Sequence, residues 1–361
     1  MSTDERRQLA RHERRRRVPE ERPGPTVPAR VDPLVARRQA RPPATARTRA
    51  LTLRSVPALP PPPAPQRSLR DVLRDAASEL WEQFNPPLIR EINDEVAERL
   101  RRVPTQINEY GFDPWGLNID AVRRALVVTT LMYRYYFRVE TFGVENVPDG
   151  PVFVISNHAG QIALDAAMIF TALVLEREPP RIVRGMGEFF LPTVPFVNLL
   201  MSRTGSVVGT PKNCIDLLRQ QEAVIAFPEG IRGMNKLFSE RYTLQRFGTG
   251  FMRLALAAKT PIVPVAVVGS EEQAPAIANL TQLGRVLGLP AFPITLTFPW
   301  LGPLGLLPLP AKYRIHIGKP MHFEGDPDDE DAVIGRKVQR VVDTIQGMLD
   351  EGVRQRPGIF F

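Results

Sequence analysis

From Val139 onward the chain alternates short apolar runs with longer amphipathic stretches, and this alternation restricts the fold more than any other property of the sequence. Strands are expected at 151–156, 181–184, 223–227, 261–268 and 313–318, and helices at about 165–176, 212–221, 249–259 and 329–351. Strand and helix taking turns predict an α/β fold, a mostly parallel central sheet flanked by helices. In such sheets ligands gather outside the carboxyl ends of the strands. The alternation breaks over 283–310. There Leu287-Gly288-Leu289-Pro290-Ala291-Phe292-Pro293 and Phe298-Pro299-Trp300-Leu301-Gly302-Pro303-Leu304 are apolar but too rich in Pro and Gly for a regular helix. This segment reads either as a lid or membrane-facing hairpin or as a buried irregular crossover.

Residues 68–137 read as an N-terminal helical region. Ser68 and Asp71 open a first helix whose apolar stripe runs from Leu69 to Phe84 and stops at Asn85-Pro86-Pro87. Ile89, Ile92, Val96 and Leu100 mark a second helix. A third, capped by Asp120, runs to about Phe137. Its apolar middle is fenced by Arg123, Arg124, Arg134 and Arg138. With Tyr133, Tyr135 and Tyr136 it suits either a membrane interface or an ordinary buried helix.

Residues 1–67 form a different kind of segment. Residues 1–70 hold seventeen arginines and six acids, a net charge of +11, which leaves −3 for the rest of a chain whose total is +8. Thirteen prolines and few large apolar residues cannot offset the entropy of ordering, so this Arg/Pro-rich tail is expected to be disordered. The run Arg14-Arg15-Arg16-Arg17 reads as a solvated tail or as an attraction to anionic lipid headgroups. Nucleic acid is not expected, because no aromatic residues interleave with the arginines. The main α/β domain is expected over 138–361.

Cys214 is the single cysteine, so neither a disulfide framework nor a multi-cysteine metal site is expected. The N-terminus lacks the apolar core of a secretory signal. No run reaches the roughly 18–20 apolar residues that span a bilayer. Gly248-Thr249-Gly250 and Gly185-Met186-Gly187 both lack the third glycine of a dinucleotide fingerprint, so no nucleotide cofactor is expected.

Two polar clusters follow apolar runs and fall on the expected ligand edge of the sheet. Behind Val152-Phe153-Val154-Ile155 come Asn157, His158, Gly160 and Asp165. A neutral imidazole can accept the proton of a hydroxyl as that hydroxyl attacks a carbonyl, and a carboxylate on the far ring nitrogen sets the tautomer. His158 and Asp165 are the candidate base and its partner. Asn157 and the amides near Gly160 are candidates to orient the ring or to stabilise an oxyanion. Behind Val224-Ile225-Ala226 come Glu229, Gly230, Arg232 and Lys236, where a guanidinium and an ammonium could hold a phosphate. No Gly-x-Ser-x-Gly elbow occurs, which leaves direct attack by an acceptor alcohol as the simplest chemistry.

These blocks together resemble the phospholipid/glycerol acyltransferase superfamily, which includes the lysophosphatidic acid acyltransferases. Asn157-His158 with Asp165 resembles its His-x4-Asp block, Gly205-Ser206-Val207-Val208 its glycine-led block, and Phe227-Pro228-Glu229-Gly230-Ile231-Arg232 its Glu-Gly-Thr-Arg block. Ile262-Val263-Pro264-Val265 resembles its Val-Pro block. The resemblance implies transfer of a fatty acyl group from coenzyme A or acyl carrier protein, as co-substrate, to a hydroxyl. By the same resemblance His158 is the base, Asp165 its partner, and Glu229, Gly230 and Arg232 the phosphate side. It implies a peripheral or monotopic enzyme on the cytoplasmic side of a membrane, with membrane lipids as partners. The alternatives are a lipid ester or thioester hydrolase and a catalytically silent lipid-binding scaffold.

The sequence departs from the family pattern in three places. Six residues, not four, separate His158 from Asp165; the second block lacks its terminal arginine; and Ile231 and Gly233 replace the usual Thr and Ser. Loss of those two hydroxyls implies weaker phosphate binding and leaves room for a less charged acceptor such as a diacylglycerol.

Overall fold

The computed structural model of the chain describes residues 86–189, 197–286 and 292–360; the Arg/Pro-rich tail and the helix expected up to Phe84 lie outside them. The strands are β1 (Glu140–Phe142), β2 (Val152–Ser156), β3 (Val183–Gly187), β4 (Val207–Val208), β5 (Ala223–Ala226), β6 (Ile262–Val268), β7 (Ala276–Leu280), β8 (Phe292–Thr295) and β9 (Arg314–Ile317). One sheet runs β1-β9-β6-β2-β5-β3-β4. Every neighbouring pair in it is parallel except β6 with β9. β7 and β8 pair separately as an antiparallel hairpin. The five strands expected from the sequence are all present. β1 and β4 are additional in this sheet, and at three and two residues they are too short to carry a periodic signal; β7 and β8 are additional outside it.

The helices are α1 (Pro87–Arg101), α2 (Ile119–Leu131), α3 (Leu164–Leu175), α4 (Val197–Arg203), α5 (Pro211–Arg219), α6 (Ile231–Met234), α7 (Gly250–Ala258), α8 (Thr281–Val286) and α9 (Asp331–Gln355). Asn118, not Asp120, caps α2: its side-chain oxygen accepts from the Ala121 N–H at 3.0 Å, and Asp120 lies inside the first turn. The helix does not continue regularly to Phe137. It widens into a π turn at Met132–Tyr136, closed by Phe137 N–H to Met132 O at 2.7 Å. Arg138, at φ 45°, then turns the chain into β1.

Alternation within β2 explains the layering. Phe153 and Ile155 pack on one face with Cys214, Leu217 and Leu218 of α5, Met252 of α7 and Ile345 of α9. Val152 and Val154 pack on the other with Met168, Ile169 and Leu173 of α3. A strand buried on both faces is apolar throughout, which is how a parallel strand reads in sequence. α1 and α2 add a third cluster, in which Ile92, Val96, Leu100 and Leu126 meet Val174 and Leu175 at the end of α3. No helix among the described residues is long and apolar enough to cross a membrane.

Candidate active site

Strand register sets the geometry. β2 and β5 are parallel neighbours with Ile155 opposite Ala226, so the residues three positions beyond each, His158 and Glu229, emerge at the same level. Glu229 Oε1 accepts the His158 backbone N–H at 2.9 Å, and Glu229 Oε2 accepts the Gln245 N–H at 2.7 Å. Glu229 is thus a buried clasp between the two strand-end loops.

His158 Nδ1 lies 2.8 Å from Asp165 Oδ2, despite the two extra residues between them. The insertion is absorbed by a tight bulge. Gly160 at φ 89° and Gln161 at φ 62° adopt left-handed conformations, and the Ile162 and Leu164 N–H groups each reach back two residues, both at 2.7 Å. Asp165 then enters the first turn of α3 with no solvent exposure. Its oxygens also accept from Ala159 N–H at 3.1 Å and Ala166 N–H at 2.8 Å. A carboxylate partner accepts, so the neutral imidazole carries its proton on Nδ1 and keeps the lone pair on Nε2. Among the described residues no group hydrogen-bonds Nε2. Phe227 stacks on the imidazole with ring centroids 4.2 Å apart, holding the ring in plane.

Gln273, which the sequence reading passed over, secures the bulge. Its side-chain N–H2 donates to Gly160 O at 3.0 Å and Ile162 O at 3.1 Å, and its Oε1 accepts from the Tyr313 hydroxyl at 2.5 Å. Gly160 has no room for a side chain, since a Cβ there would stand 2.0 Å from Gln273 Nε2. The same loop supplies Glu271. The sequence did carry a signal for both: Ser270-Glu271-Glu272-Gln273 is a polar cluster directly behind an apolar strand, the pattern that singled out His158 and Glu229.

The remaining sequence candidates divide. Asn157 does not face a ligand. Its amide donates to Val267 O at 3.1 Å and accepts from Val267 N–H at 2.8 Å, so it clamps β2 to β6. Lys236 is not free for a phosphate either: it is buried between Glu271, at 2.8 Å, and Glu229, at 3.6 Å. Burial is the larger influence on Glu271 and holds its carboxyl above the ordinary value, against the pull of Lys236. Arg232 is exposed, and its one side-chain hydrogen bond among the described residues is an N–H given to Arg246 O at 2.9 Å. Gly230, at φ 57°, forms the turn between Glu229 and Arg232.

Gly233, where the family pattern has Ser, is dictated by close approach. A Cβ there would sit 2.6 Å from His158 O and 2.8 Å from Glu229 Cβ. Gly233→Ser is therefore expected to cost about 1–3 kcal/mol of stability through overpacking, read by thermal unfolding. It is also expected to lower activity rather than restore a phosphate contact; a variant as stable as the parent would contradict the close packing.

A cavity of about 470 Å³ opens beside this edge, lined by Trp115, Glu188, Leu199, Met201, Ser206 and Val207 among others. Glu188 joins it to the site, since Glu188 Oε1 lies 3.2 Å from where a Gly230 Cβ would be. Among the described residues no group of three or more His, Cys, Asp or Glu is placed to hold a metal ion.

The family described as Acyltransferase matches residues 138–268, the segment that carries His158, Asp165, Glu229, Arg232 and Lys236 but not Gln273, Glu271 or Tyr313. A protein of Mycobacterium tuberculosis with no assigned function is 38% identical over 260 residues, covering 71% of this chain and 72% of its own length. The chain belongs to the phospholipid/glycerol acyltransferase superfamily. A protein of Homo sapiens named DGAT1/2-independent enzyme synthesizing storage lipids is 24% identical over 225 residues, covering 60% of this chain and 62% of that protein. Among solved structures, the lysophosphatidic acid acyltransferase PlsC of Thermotoga maritima matches with a TM-score of 0.44 at 17% identity, over 66% of this chain and 81% of that one. In this acyltransferase the histidine block is longer than the family's, and the Gly160 bulge is what keeps the pair together.

Proposed function

We propose that the protein is an O-acyltransferase that moves a fatty acyl group from an acyl thioester to the hydroxyl of a glycerolipid or related lipid alcohol. The observation that carries this reading is His158, held through Nδ1 by buried Asp165 with Nε2 left open. The acceptor hydroxyl attacks the thioester carbonyl carbon as Nε2 takes its proton. The tetrahedral species expels the thiolate, and the imidazolium returns the proton to it. Acyl-CoA or acyl carrier protein serves as the donor co-substrate, with no further cofactor. The enzyme works from the cytoplasmic side of a membrane as a peripheral or monotopic protein.

The acceptor is a weakly charged one. With Lys236 neutralised by two carboxylates, Arg232 is the cation of the Glu229 block left open toward a ligand. The name of the human relative, which refers to storage lipids, points the same way. Product analysis tests the reading. Acyl-CoA supplied with diacylglycerol or monoacylglycerol is expected to give the acylated lipid at a higher rate than with lysophosphatidic acid. Free fatty acid as the sole product, with or without acceptor, would make the protein a hydrolase instead.

A further inference from the structure

Two parts of the chain that are remote in sequence come together on one face. The hydroxyl of Tyr136, just past α2, donates to Pro308 O, and Arg138 donates to Pro310 O at 2.7 Å. The segment that leads into these contacts is apolar at its surface. Trp300 is 68% exposed and Leu304 69%, and Leu296, Leu301, Leu306 and Leu307 are exposed with them. Ile277 and Leu280 of β7 and Tyr135 beside Tyr136 are exposed as well. Isolated exposed leucines are ordinary on a soluble surface, but so many on one segment are not.

Several polar groups of the 295–307 segment are paired within it. Thr297 Oγ1 donates to Gly305 O at 2.8 Å, Phe298 N–H to Thr295 Oγ1 at 2.9 Å, and Leu301 N–H to Thr297 O at 2.9 Å. Gly305 allows this closeness, since a Cβ there would stand 2.4 Å from Thr297 O. A segment that internalises its backbone hydrogen bonds and turns leucines outward can enter an apolar medium without stranding polar groups. Charge fits as well. The sequence beyond residue 70 is net −3, yet from Gln273 to Phe323 it contains no Asp or Glu. An acid-free apolar patch bordered by tyrosines and by the Arg138 cation matches the interfacial zone of an anionic bilayer.

We infer that the surface built from residues 277–286, 292–307 and the Tyr135–Arg138 segment docks on the lipid bilayer. The inference deepens the acyltransferase reading by naming the surface that meets the substrate phase. Docking also bears directly on the site. Leu309 N–H donates to Gln273 O at 2.6 Å, and the Gln273 side chain holds the His158–Asp165 bulge. The catalytic loop therefore lies one residue's hydrogen bonds away from the docking unit.

Binding is tested without reference to turnover, so failure of the docking surface and failure of the acyltransferase reading are separable. The full chain and its Leu301→Asp/Leu304→Asp/Leu307→Asp variant are sedimented with phosphatidylglycerol vesicles in about 1 M salt, where a Debye length of about 3 Å screens the arginine tail. Wild type is expected to bind, and the variant to partition about a hundredfold or more weakly. The three leucines are exposed, so the variant should keep the parent's unfolding temperature. Trp300 emission should shift to the blue on binding, and the shift should vanish in Trp300→Phe. Equal binding of wild type and variant would overturn the proposal. A wild type that ignores vesicles but forms a dimer broken by the variant would assign the face to a second copy instead.

Discussion

His158→Ala is expected to reduce acyl transfer by about a hundred- to ten-thousandfold, the usual contribution of a positioned general base. The loss should fall on kcat rather than on binding of either substrate, because Nε2 acts on the proton that moves and not on the acyl chain. Asp165→Asn sharpens the test. An amide in place of the carboxylate can donate to Nδ1, which favours the tautomer with its proton on Nε2 and removes the lone pair that the acceptor hydroxyl needs. The expected loss is up to about ten-thousandfold. The backbone contacts from Ala159 and Ala166 allow the asparagine variant to keep its fold, so circular dichroism and unfolding temperature should remain near those of the parent. Full turnover in His158→Ala would end the base assignment.

Lys236→Met is expected to cost the largest amount of stability, about 3–5 kcal/mol, the usual penalty for removing one partner of a buried ion pair. Two carboxylates, Glu229 and Glu271, would be left facing each other without a cation. In a chain of this size the unfolding temperature should drop by on the order of 10 °C. The pH dependence follows from the direction of the Glu271 shift. Burial raises its folded-state pKa, and loss of Lys236 removes the main opposing influence. A carboxyl whose pKa is raised on folding adds stability below its unfolded pKa, and that stability is lost as pH rises through the folded value. The deficit of Lys236→Met should therefore be greatest at neutral pH and shrink in acid, as the carboxyls take up protons. Thermal unfolding across that range checks it; a deficit independent of pH would mean that packing, not charge, is what Lys236 supplies. Because Glu229 carries the His158 backbone contact, activity should fall along with stability.

Much of this site is legible one segment at a time. Val152-Phe153-Val154-Ile155 announces a strand buried on both faces, and a polar cluster behind such a run belongs to the ligand edge of a parallel sheet. That reasoning located His158, Asp165 and Glu229, and the same pattern was available for Glu271 and Gln273. It could not say which polar residue faces a ligand. Asn157 and Lys236 have suitable chemistry and stand at suitable positions, yet one is consumed by the main chain of Val267 and the other by two carboxylates. Their partners lie on other strands and loops, so local pattern holds no record of them.

The amino-acid order alone set the element types, the ligand edge and the candidate base, because hydrophobic period and strand-end polarity are local properties. Three things were decided only in tertiary structure. Positive φ angles at Gly160 and Gln161, held by Gln273, brought Asp165 within 2.8 Å of His158 across the longer gap. Close approach to His158 O explained the glycine at 233. Contact between Tyr136 and Pro308 joined two apolar segments into one face. Each depends on atoms distant in sequence arriving at the same place, which is a property of the packed chain and of no single stretch of it.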